Sequence, residues 1–333
     1  MSLRLALIWI CLVAGFSLAP ATAAQIEKDL TAQARVFPEV GAGLRAIQKD
    51  AAGRYYILTA PNPSVLIFDA KGARISRIPA VINPKSRAEK PIALAYGVGL
   101  SLDSTGRVYV ADRGANAIKV YQPDGGLLLK LDIAAPISVA ALGADEFAVT
   151  SMGSTYLVTV YDLHGKVVRE FGVPVDFAER AELNRFVNIG RVASDPASNI
   201  YYSFDFLPEP TVRKYDRYGY AAFEISLDTL DFAPEAEATR REIHRQEEGG
   251  TPALKPVLTA IGVDPANQEI WLAARGILMH FDHDGNRVAT YRTYTPEGAR
   301  LEISAILVEP DRLLLACDPL GVFAFARPDK RSP

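Results

Sequence analysis

The side chains best suited to hold a small charged molecule are three arginines set far apart in the chain, Arg45, Arg191 and Arg275. A guanidinium offers its donors in a planar fork that matches a carboxylate or phosphate, so arginines brought to one place would clamp an anion. The competing reading pairs them with Glu302, Asp205 and Asp318, which would only neutralise a polar channel. Tyr96, Asp112, Arg113, Asn188, Asp205 and Glu302 complete the set of candidate ligand-binding side chains. Asp112, Asn188, Asp205 and Glu302 are also the kind of oxygen donors that calcium takes, at ~2.3–2.6 Å from the ion. Covalent catalysis finds less support. The chain has neither a G-x-S-x-G elbow nor an H-E-x-x-H pair. Its four histidines, His164, His244, His280 and His283, do not fall at zinc-site spacing, and His280 and His283 flank a turn. Cys317 ends the apolar run Leu313-Leu314-Leu315-Ala316 and reads as a small buried hydrophobe.

Such side chains need elements to bring them together, and one pattern recurs along the chain. Its clearest copy runs from Gly97 to Leu131: an apolar strand, a turn at Asp103-Ser104-Thr105-Gly106, and the strand Arg107 to Asp112. A loop through Gly114 and Asn116 follows, then the strand Ala117 to Tyr121, a turn at Asp124-Gly125 and a last strand from Leu127. Four short strands with Gly, Asp and Asn turns make one antiparallel meander. Other copies start at Leu44, Ile137, Ile189, Leu258 and Leu301, near the ~40–45-residue period of a four-stranded propeller blade. One meander cannot bury both faces, so the copies must stack, and closing the stack into a ring removes its open edges. The expected fold is therefore all-β: a six-bladed β-propeller of four-stranded antiparallel blades. The sixth copy runs out before a fourth strand, and the orphan strand Ala34-Arg35-Val36-Phe37-Pro38 is the expected donor that closes the ring from the N-terminus.

The pattern resembles NHL-repeat propellers, through Gly99-Leu100-Ser101-Leu102-Asp103, Gly106-Arg107-Val108-Tyr109-Val110-Ala111-Asp112, Asn116 and Ile118-Lys119-Val120-Tyr121. The match is close in the second copy and partial in the rest. The acid-plus-amide set is similar in type to that of gluconolactonase-type propellers, which implies a possible channel Ca2+. Propellers of this kind serve as ligand platforms, lactonases and lyases, so the resemblance implies an architecture and leaves the function open.

At 333 residues, 49% hydrophobic, the chain has enough material for one ring with a full core. A net charge of -3 and the lack of a basic stripe with interleaved aromatics argue against nucleic acid as a partner. Arg4, the apolar run Leu5–Leu18 and the small residues Ala21-Thr22-Ala23-Ala24 read as a signal peptide over residues 1–24, leaving a single domain over 25–333. The run is too short for a good membrane span, so no stable membrane insertion of the mature chain is expected and the compartment is periplasmic or secreted.

Strand direction sorts the connections. The tight Asp/Gly turns lie on one face of the ring, and the middle loops and crossovers lie on the other. The long segments, Pro79–Tyr96, Gly172–Asn188 and Ser226–Val257, are all crossovers, which makes theirs the expected working face. The longest holds a charged helix from Pro234 to Glu248, stopped by Gly249-Gly250, in an insertion over about 228–257. The expected function is an exported binding scaffold that holds a small anionic ligand or a partner protein on this face. The alternative is a metal-dependent hydrolase or lyase, lactonase-like, acting on a small molecule in the central channel.

Overall fold

The computed structural model describes residues 28–60, 62–79, 93–227, 232–274 and 276–328. The expected leader, residues 80–92 of the first long crossover, and Arg275 lie outside these.

Two N-terminal strands come first, β1 (Lys28–Thr31) and β2 (Ala34–Val36). Blade one is β3 (Leu44–Lys49), β4 (Tyr55–Thr59), β5 (Ser64–Phe68) and β6 (Arg74–Ile78). Blade two is β7 (Gly97–Leu102), β8 (Val108–Asp112), β9 (Ala117–Tyr121) and β10 (Leu127–Asp132). Blade three is β11 (Pro136–Leu142), β12 (Glu146–Ser151), β13 (Val158–Asp162) and β14 (Val167–Phe171). After α1 (Ala181–Val187), blade four is β15 (Gly190–Ser194), β16 (Ile200–Phe204), β17 (Thr211–Tyr215) and β18 (Ala221–Ser226). After α2 (Ala233–Gln246), blade five is β19 (Leu258–Val263), β20 (Ile270–Ala274), β21 (Ile277–Phe281) and β22 (Arg287–Tyr294). Blade six is β23 (Ala305–Val308), β24 (Arg312–Cys317) and β25 (Gly321–Ala326), with β2 as its outer strand.

The ring closes as the sequence predicts. β2 pairs antiparallel with β25, Ala34 opposite Ala324 and Val36 opposite Val322. Phe37 then enters the seam between blades six and one, in a core with Leu44, Tyr55, Phe68, Leu314 and Val322. The sequence does not predict β1, which adds a fifth, parallel strand to blade five with Leu30 opposite Thr293. The two chain ends are thus joined through two blades.

The turns explain why the strands stop where they do. In blades one, three, four and five the outer hairpin turns at Asp69, Asp162, Asp216 and Asp282. Each carboxylate accepts backbone N–H groups two and four residues on, as in Asp216 with Tyr218 and Tyr220. The glycine that follows takes a positive φ, 94° at Gly219, which only glycine adopts without strain. That glycine also makes room for the preceding blade: a Cβ on Gly219 would lie 2.5 Å from the Phe171 ring. Gly125, Gly165 and Gly285 are similarly backed by Ile78, Leu131 and Phe223 of the blade before. The inner turns use a second device. Asp50, Asp103 and Asp195 each accept from the tyrosine six residues on, Tyr56, Tyr109 and Tyr201, and from Arg54, Arg107 or Asn199 four residues on.

Among the described residues no helix is long and apolar enough to cross a membrane.

Candidate functional site

The inner strands of all six blades line a narrow channel. A cavity of about 80 Å³ there is bordered by Arg45, Ser138, Arg191 and Ser304. Blades one and four bring Arg45 and Arg191 into it, as the repeat predicts. Arg191 is already partnered. Its Nε donates to Asp205 Oδ2 at 3.1 Å and its Nη1 to the Thr259 carbonyl at 2.8 Å. Burial pushes the Asp205 carboxyl above the usual range, against the pull of Arg191, and its Oδ1 is buried with no hydrogen-bond partner among the described residues. Among the described residues Arg45 has no acid partner. It donates to the Tyr96 hydroxyl at 3.1 Å with its guanidinium carbon 5.7 Å from that ring's centroid, and its Nε is buried and unpartnered.

Two of the remaining polar candidates face inward. Asp112 is fully buried and anchors the end of the first long crossover. It accepts from the backbone N–H groups of Ala95 and Tyr96 and pairs with the buried Lys119 at 2.7 Å, while Lys119 also donates to the Ala93 carbonyl. Burial opposes ionisation of Asp112, but Lys119 and the two backbone donors outweigh it and hold the carboxyl below its usual range. Asn188 fixes the second crossover. Its amide nitrogen donates to the Val175 and Asn184 carbonyls, and its oxygen accepts from Val175 N–H at 2.7 Å. Glu302 is exposed before β23, and Asp318 accepts from Gly43 N–H at 2.8 Å. Among the described residues, no three of His, Cys, Asp and Glu gather into a cation site. Cys317 is buried, and burial pushes its thiol up to about 12.

The larger opening on this face lies between blades three and four, a pocket of about 390 Å³. One wall is the loop 152–157 that joins β12 to β13. The other is α1 with Asn188, and the floor includes Ile137, Ile189, Gly190 and Tyr202. Helix α1 went unread in the sequence, although Leu183 and Val187, both buried, stand four apart as one apolar face requires. Its first turn lacks a side-chain cap of its own. Glu247, just past α2, instead holds the two residues that precede it from a distant crossover: its carboxylate accepts from Glu179 N–H at 2.9 Å and Arg180 N–H at 3.1 Å. Helix α2 is charged, as the sequence predicts, but it is docked through buried Ala236, Thr239 and Ile243. Two crossovers thus form one helical cap beside the pocket.

Much of the pocket's polarity is committed to its own walls. Thr150 Oγ1 donates to the Gly190 carbonyl at 2.9 Å, Ser151 Oγ to the Ala134 carbonyl at 2.5 Å, and Tyr202 Oη to the Asn188 carbonyl at 2.6 Å. Thr155, Tyr156 and Arg185 stand exposed at the edge. Arg113, from blade two, is outside the lining and touches it at one point, its Nη2 donating to Met152 Sδ at 3.5 Å. Among the described residues, no Asp or Glu lines the pocket. The acids Asp132 and Glu170 lie in a separate cleft of about 300 Å³ that shares residues 151 and 153–155.

No family model matches the chain, and no curated protein matches it in sequence. Its fold is similar to that of several solved structures. One is a streptogramin B lyase, with a TM-score of 0.54 and 12% identity, covering 88% of this chain and 85% of that one. A second is a catalytically inactive virginiamycin B lyase from Staphylococcus aureus with quinupristin, with a TM-score of 0.54 and 13% identity over 87% of this chain and 82% of that one. A third is U3-55K, with a TM-score of 0.54 and 10% identity over 88% of this chain and 98% of that one. At these identities the likeness is one of fold.

Proposed function

We propose that the protein is an exported propeller that binds a small organic ligand on the face of its long crossovers, in the pocket between blades three and four. One observation carries this reading: two otherwise separate crossovers build a joint helical cap beside a pocket of about 390 Å³. Small-molecule sites commonly occupy ~300–1,000 Å³ and combine an apolar lining with a few placed polar groups. Export follows from the short apolar run and the small residues before Gln25, so the mature chain starts near Ala24 or Gln25 in the periplasm or outside the cell. An intact mass for exported material that still includes Trp9 contradicts this. A partner protein is the other occupant this face would suit.

The test is a thermal-shift screen of small organic acids on the mature protein, followed by hydrogen-exchange mapping of any hit. Protection is expected over 151–157 and 181–188. Protection confined to the tight turns of the opposite face, such as 103–107 and 162–166, rejects the reading.

A second reading is an enzyme acting on a small molecule in the channel. It is favoured by Asp205, a buried carboxyl raised by burial, with one free oxygen and Arg191 beside it. The lyases of similar fold are compatible with it. A calcium-dependent form would need Asp112 and Asn188 to leave the backbone groups they now hold. Mass spectrometry of a hit incubated with the protein, with and without added calcium, separates the readings. Turnover that is lost in Asp205→Asn favours the enzyme, and an unchanged ligand favours the binder.

A further inference from the structure

The chemistry of the pocket wall narrows the kind of molecule it takes. An organic cation needs an acid or a cage of aromatic faces, and among the described residues no Asp or Glu lines the pocket. Arg185 on α1 lines it, and Arg113, in the short 3-10 turn after β8, stands just outside and donates to the lining residue Met152; neither arginine is paired with an acid among the described residues. The same lining includes Ile137, Leu157, Pro174 and Ile189, an apolar part of the wall, with the exposed ring of Tyr156. A bare inorganic anion would leave that strip wet and would meet its arginines only at an exposed rim, where charge pairs are weak. An apolar body carrying a carboxylate, sulfonate or similar head satisfies both parts. The channel offers a poorer seat for such a molecule. Its cavity is about 80 Å³, and Arg191 there is already neutralised by Asp205.

Resting on the reading that this pocket is the ligand seat, we infer that it binds an amphiphilic organic anion. The apolar body lies between the 152–157 loop and α1, and the anionic head lies toward Arg185 and Arg113. Discrimination is by charge: the guanidiniums attract the head, while the absence of a wall carboxylate removes the partner that a cationic or zwitterionic competitor would need.

The experiment uses mature protein and two probes of similar size, anionic 8-anilinonaphthalene-1-sulfonate and neutral N-phenyl-1-naphthylamine, each titrated by fluorescence and located by hydrogen exchange. The anion is expected to saturate one site, to protect 151–157 and 181–188, and to bind at least about tenfold more tightly than the neutral probe. Arg185→Ala is expected to weaken the anion about tenfold and leave the neutral probe unchanged, with Arg113→Ala acting in the same direction. Both arginines are exposed, so loss of fold should not confound the comparison, and an unchanged melting temperature checks this. Equal affinity for the two probes at these segments, or no loss in the double variant, overturns the anion assignment but keeps the pocket as the seat. Protection by both probes elsewhere overturns the assignment and the seat together.

Discussion

Phe37 is where the ring closure can be tested with one side chain. Its ring is only 5% exposed and lies 5.0 Å from Tyr55 and 4.9 Å from Phe68, centroid to centroid, in the seam between the last blade and the first. Its backbone takes a φ of 50°, a conformation that costs a side-chain-bearing residue about 1–2 kcal/mol. The contacts must outweigh that cost, and a buried Phe replaced by Ala typically loses about 3–5 kcal/mol. An unfolding entropy of ~2.1 cal/mol/K per residue over roughly 300 residues gives about 0.6 kcal/mol per degree. Phe37→Ala should therefore lower Tm by about 5–8 °C in scanning calorimetry of the mature chain. The positive φ adds a sharper expectation. Alanine keeps the backbone cost and glycine does not, so Phe37→Gly should be the more stable of the two, by up to about 1 kcal/mol. Tyr218→Ala, at a side chain 67% exposed, serves as the control. A Phe37→Ala variant that melts within about 1 °C of the parent refutes the packed closure, and a glycine variant less stable than the alanine one refutes the backbone argument.

Three further outcomes follow from the same geometry. Gly219→Ala forces a Cβ to 2.5 Å from the Phe171 ring at a φ of 94° and should cost about 2–4 kcal/mol in urea unfolding, while Gly41→Ala, with open space around it, should cost nothing measurable. Lys119→Met leaves Asp112 buried without its cation and should lose about 3–5 kcal/mol, with part recovered by adding Asp112→Asn; a single variant within about 1 kcal/mol of the parent shows that the pair is not buried as described. Asp103, Asp112 and Glu309 are each opposed by burial, yet their donors hold all three below the usual carboxylate range. Depressed folded values mean that their contribution is complete above the unfolded values near 4 and is lost as pH falls through the lower folded ones. Tm should be level from about pH 7 to 5 and decline below about 4, whereas a rise on acidification contradicts the assignment.

The blades were legible because their determinants are local. An Asp-x-x-Gly turn fixes its own hairpin, alternating strands declare their buried face, and the repetition of that unit at a blade's length leaves a closed ring as the way to cover every sheet. The predicted start of blade one, Leu44, is the observed one. The short sixth copy even signalled that an N-terminal strand was needed, and β2 supplies it. Other features depend on residues far apart in sequence. β1 has too little pattern to announce itself, and only the free edge of β22 gives it a partner. Arg191 looked equally able to hold a ligand or to be neutralised, and the choice rested on Asp205 folding back within hydrogen-bonding distance. Asp112 and Asn188 read as ligand donors because their type allows it, yet tertiary structure turns them inward to the ends of the crossovers. The pocket is the clearest case: its walls come from a middle loop and one crossover helix, whose leading residues are held by Glu247 of another crossover. Sequence by itself determined the repeated unit, because hydrogen bonding and side-chain alternation act within a few residues. Only the tertiary structure decided which polar groups remain unpaired at a surface, because desolvation and charge pairing depend on which distant segments the ring sets side by side.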